Sequence, residues 1–161
     1  MPASEVDKNG YGDCKALTNY TRAALKAAGI DSYYSLVYAG LSDKVDVAFP
    51  ASSFNHVILS VPLEGDTIWL ECTDQKSPFG QMSAITIGKY SLIVDGANSK
   101  LARVKSIDNK NLYKAGFSSH IDLREVPNPT VQSEVSYSGL SYRQQLELVE
   151  LSEKKLREHF N

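Results

Sequence analysis

The clearest period along the chain lies in CKALTNYTRAALKAAG, where Leu17, Tyr20, Ala24 and Ala27, with Ala28, recur at helical spacing. This predicts a helix over 14–28, with Asp13 as N-cap and Gly29 as the stop. The next segment, SYYSLVYAG, reads as a strand, and residues 40–54 form a polar connection containing Pro50 with no regular period. HVILSVP and TIWLECT then alternate with period two on either side of LEGD, which predicts a hairpin. Alternation places Val57, Leu59, Val61, Ile68, Leu70 and Cys72 on one apolar face. His56, Ile58, Ser60, Trp69, Glu71 and Thr73 fall on the other, and Asp74 returns to the first unless the strand has ended or bulged.

Beyond Gly80 the pattern weakens. ITIGKYSLIVD and SKLARVKSI are short strand candidates, a loop is expected around Asn109 to Gly116, and HIDLREV and QSEVSYSG are strands separated by PNPT. From Ser141 a helix is predicted, with Tyr142, Leu146, Val149, Leu156 and Phe160 along one stripe. The reading is therefore α+β, with a core over residues 1–95 and a β-rich extension over 96–161 that ends in a helix.

A chain of 161 residues suits one ordinary domain, or a small one with an appendage, and its 42% hydrophobic and 22% charged residues are globular values. Seventeen basic and nineteen acidic side chains give a net charge of −2, which supplies no field for nucleic acid or an anionic membrane. No apolar stretch reaches the length of a membrane span, and MPASEVDKNG lacks the apolar core of a signal peptide. Two cysteines allow a Cys14 to Cys72 disulfide arithmetically, but they make no disulfide framework. Cys and His show no metal-type spacing, so no metal or organic cofactor is expected.

The candidate chemistry starts from Cys14. A free thiol titrates near about 8.5, and a helix N-terminus beside an imidazolium lowers that to roughly 3.5–7.5. His56 would take the thiol proton and return one to the leaving amine, while a carboxylate fixes its tautomer. The shared strand face favours Glu71 for that part, with Asp74 as the alternative acid. Tyr11 and Asn55 flank the nucleophile and the base, and Trp69 lies on the site face, as groove lining or as packing. The backbone N–H of Cys14 can serve one side of an oxyanion hole, and a second donor has no clear signal. Cys72 reads as core, and His120 and His159 have no partner that spacing suggests.

Taken together, GDCKALTNYTRAALKAAGI, FNHVILSVP and WLECTD resemble the transglutaminase-like core over roughly Asn9 to Gly80, particularly bacterial members attached to all-β flanking domains. The resemblance implies a papain-like α+β fold and thiol-dependent acyl transfer or hydrolysis at an amide or peptide bond of a peptide or protein substrate. Cys14 matches the family nucleophile and His56 its base. The family's Leu-Asp-Pro-Thr run falls on Leu70, Glu71, Cys72 and Thr73, which again selects Glu71. Glu replaces Asp, Cys72 replaces Pro, and almost no helical segment precedes the nucleophile. The last departure suggests an interior fragment, with the extension opening a following β-rich domain and a parent that the resemblance makes exported. The alternative expectation is a catalytically inactive binding or scaffolding module that keeps this fold. Oligomeric state is left open, since unpaired strand edges would permit self-association.

Overall fold

A computed structural model describes residues 1–42, 45–49, 53–105, 113–124, 129–139, 141–142, 145–149 and 151–160. The chain is α+β and forms two compact units, residues 1–109 and 110–161. Pro50, the Asn109 to Leu112 part of the expected loop, and Pro127 with Asn128 lie outside the described residues.

The first unit opens with α1 (Ala3–Asn9), a short helix that the periodicity does not predict. Its signals are brief: Pro2 at the N-cap, and Gly10 at φ 72° as a left-handed C-cap. Val6 is buried, and Tyr20 of the next helix donates its hydroxyl to Asp7 Oδ1 at 2.9 Å. That helix, α2 (Cys14–Ala27), has the expected caps. Asp13 accepts from Ala16 N at 2.8 Å, and Gly29 at φ 77° lets Ile30 N return to the Leu25 carbonyl at 2.9 Å.

Five antiparallel strands follow: β1 (Tyr33–Val37), β2 (His56–Leu63), β3 (Asp66–Leu70), β4 (Tyr90–Ile93) and β5 (Lys100–Arg103), in spatial order β3-β2-β1-β4-β5. The β2–β3 turn closes at Gly65, φ 78°, where a side chain would be strained. Because β5 pairs with β4, the sheet and the first unit continue past residue 95. The sheet curls: Lys105, just past β5, reaches Asp66 Oδ1 at the start of β3, the opposite edge, at 3.4 Å.

Both faces of this sheet are buried, which alternation with one apolar face does not anticipate. On one face Tyr34 pairs with Leu59 and Leu36 with Val57. This face takes α2, whose Ala16 and Thr18 are buried and whose Thr18 Oγ1 donates to the Val57 carbonyl at 3.4 Å. The other face carries Val37, Ile58, Trp69 and Ile93, closed over by Met82 and Val104 into the main core cluster. Hydroxyls within this face are satisfied internally, as where Ser35 Oγ donates to Ser60 Oγ at 2.9 Å and Ser91 Oγ to the Leu36 carbonyl at 3.0 Å.

The second unit is a long hairpin, β6 (Tyr113–Asp122) with β7 (Thr130–Gly139), then α3 (Leu146–Val149) and α4 (Glu153–Phe160). β6 begins inside the expected loop. Gly116, which reads as a loop signal, lies within the ladder opposite Ser136, whose Oγ would have to rotate to admit a Cβ 2.7 Å away. The helix predicted from Ser141 is interrupted at 151–152, where Ser152 starts a new one by accepting Leu156 N at its carbonyl, 2.9 Å. The side chain of Phe160, the last position of the expected stripe, lies outside the described residues.

Candidate active site

Cys14 is the first residue of α2, where the amides of the opening turn have no partner within the helix and the macrodipole favours negative charge. Asp13 satisfies the Ala16 amide, and Cys14 itself is half-buried. Tyr34, on the sheet face that α2 covers, is the aromatic group that senses both. Burial first, then the charges of Cys14 and Asp13, hold its phenol above the ordinary range, so the hydroxyl remains a donor. Sequence reasoning did not single out Tyr34. Its only signal is period-two alignment with Leu36, which does not reveal what covers that face.

His56 and Glu71 meet as their shared face requires. The register Leu59↔Leu70 sets Glu71 one step beyond β3, diagonal to His56 at the start of β2. His56 Nε2 lies 3.0 Å from Glu71 Oε2 and 3.2 Å from Oε1, with side-chain exposures of 18% and 6%. Thr73 donates twice to Oε1, from its backbone N–H at 3.1 Å and its hydroxyl at 2.5 Å. Burial alone would raise the Glu71 pKa. The hydrogen bonds from His56 and Thr73, with the positive charge of His56, outweigh it and hold the carboxyl below its ordinary range. Glu71 is thus held ionised, and Nε2 is the imidazole nitrogen that it engages.

α2 is tied to the strand that carries His56. Thr18, one helical turn or about 6 Å beyond Cys14, is fully buried and bonded to Val57, the residue after His56. The Cys72 thiol, also half-buried, lies against the Thr21 and Thr18 hydroxyls and 3.9 Å from the Leu70 carbonyl. Burial pushes the Cys72 thiol up, the two threonines oppose this, and the charge of Glu71 adds to it. Both cysteines are free, and burial keeps Cys72 a protonated thiol.

The remaining candidates are placed as follows. Asp74 accepts from Lys76 N and Ser77 Oγ, both at 3.0 Å, and so organises its own turn. Asn55 clamps Ala39, accepting from its N–H at 2.7 Å and donating to its carbonyl at 3.0 Å. Trp69 is 2% exposed within the core cluster, and Tyr11 is 66% exposed just ahead of α2. Among the described residues no hydrogen bond joins Cys14 to His56. By the pleat, Val37↔His56 and Tyr34↔Leu59 put the imidazole on the sheet face opposite Tyr34.

Among the described residues no group of three or more His, Cys, Asp and Glu side chains is placed to hold a metal ion, and no helix is long and apolar enough to cross a membrane. A cavity of about 330 Å³ lies between the curled sheet edges, lined by Asp66, Thr67, Trp69, Arg103 and Lys105 among others, away from Cys14. No family model, no curated protein and no solved structure matches the chain.

Proposed function

We propose that the first unit is a cysteine acyl-transfer domain of papain-like, transglutaminase-like organisation. Cys14 attacks an amide or peptide carbonyl, His56 moves the proton from thiol to leaving amine, and Glu71 orients His56. The observation that carries this reading is the His56–Glu71 pair, an imidazole held through Nε2 by a buried, ionised carboxylate. Support comes from the placement of Cys14 at a capped helix start and from Thr18, which ties that helix to the strand carrying His56. The thioester forms as the C–N bond breaks, the amine leaves with the proton from His56, and water or an amine then takes the acyl group.

A second reading is favoured by two observations. Cys14 and His56 are not hydrogen-bonded, and the pleat directs the imidazole to the sheet face opposite the one α2 covers, which suits an inactive binding or scaffolding module built on the same frame. A thiol-directed amide probe separates the two. Labelling of the wild-type chain that is lost in Cys14→Ala, with the fold unchanged by circular dichroism, is the outcome of acyl transfer; equal labelling of both proteins rules it out.

A further inference from the structure

We infer that Thr73 is a positioning residue that locks the Glu71 carboxylate in the orientation His56 requires. The inference rests on the acyl-transfer reading and extends it to a side chain that reading does not use.

Glutamate carries one more rotatable bond than aspartate, so a Glu in the orienting position must have its carboxylate fixed by something besides its own backbone. Thr73 supplies that constraint from two residues away. Its N–H at 3.1 Å and its hydroxyl at 2.5 Å converge on Oε1, which sets the rotation of the carboxylate plane and so presents its edge to Nε2, with Oε2 at 3.0 Å and Oε1 at 3.2 Å. The same segment is anchored between them by Cys72, whose thiol packs on Thr18 and Thr21 of the helix that opens with Cys14. The run Glu71-Cys72-Thr73 therefore faces His56, α2 and its own carboxylate in succession. Thr73 is solvent-exposed, so its substitution leaves the core untouched.

The test compares Thr73→Val, which keeps shape and loses the hydroxyl, with Thr73→Ser, which keeps the donor. The first readout is the Glu71 side-chain carboxyl resonance followed against pH in ¹³C-glutamate-labelled protein, assigned with Glu71→Gln. Removing a donor to the ionised form raises its midpoint, so Thr73→Val is expected to titrate at higher pH and Thr73→Ser like the wild type. The second readout is Cys14 alkylation near neutral pH, expected to fall severalfold in Thr73→Val and to be restored in Thr73→Ser. Identical Glu71 titration in Thr73→Val and wild type overturns the inference. A raised midpoint with unchanged alkylation, where His56→Ala does slow alkylation, overturns the positioning role. Alkylation indifferent to His56→Ala removes the acyl-transfer reading instead, and the titration still decides whether Thr73 holds Glu71.

Discussion

His56 and Glu71 meet at 3.0 Å although neither lies within a paired position of the other's strand. The last β2–β3 pair is Leu59↔Leu70, and the contact is made diagonally past it, by a residue that opens one strand and a residue that has just left the next. Such a contact sits where a curled sheet ends and side chains can turn toward solvent. His56 keeps 18% of its side-chain surface exposed there while Glu71 keeps 6%.

Activation of Cys14 by that pair is expected to appear in its alkylation by iodoacetamide, measured with Cys72→Ser as background. The rate should be on its plateau near neutral pH, and His56→Ala should lower it at pH 7 by about tenfold or more, since an unassisted thiol titrates near about 8.5. A rate that climbs only around pH 8 to 9, with or without His56, would identify the inactive module.

Glu71 should shape the acid limb of stability. Its carboxyl is held below the ordinary range, so its contribution is complete above the unfolded carboxylate pKa and is lost as pH falls through the lower, folded value. Glu71→Gln is expected to cost about 1–3 kcal/mol near neutral pH. It should also flatten the loss of stability below about pH 4, as followed by urea unfolding at a series of pH values. Parallel acid limbs in variant and wild type would place that titration elsewhere.

Asp13 caps α2 through the Ala16 amide. Asp13→Ala is expected to destabilise the first unit by about 1 kcal/mol and Asp13→Asn by much less, read from denaturant midpoints at constant slope.

Trp69 is the single tryptophan and is 2% exposed, so its fluorescence reports the main core. Its emission should be that of a buried indole and should shift to the red on unfolding. Trp69→Ala is expected to cost about 3–5 kcal/mol; a cost near zero would mean that this face is not the folding core.

Much of this was legible in the residues because it depends on local geometry. The 3.6-residue period of 14–28, bounded by Asp13 and Gly29, specifies α2, and the period of two in HVILSVP and TIWLECT puts His56 and Glu71 on one face before any fold is known. Where two requirements share a residue, the sequence misleads. Gly116 suggests a loop but lies inside a paired strand opposite Ser136, and Ser152 restarts a helix that the apolar stripe carries straight through.

Period and capping thus determined by themselves which side chains each element presents: Cys14 at a helix start, and His56 with Glu71 across a hairpin. Only the tertiary structure decided what each face meets. It buried both sides of the sheet, put Trp69 in the core, laid α2 over Tyr34, closed Thr73 onto Glu71, and left Cys14 without a hydrogen bond to His56. The reason is physical: alternation fixes the direction of a side chain relative to its own backbone. The position of a helix on a sheet depends on packing between residues far apart in the chain, such as Thr18 and Val57, which no local period encodes.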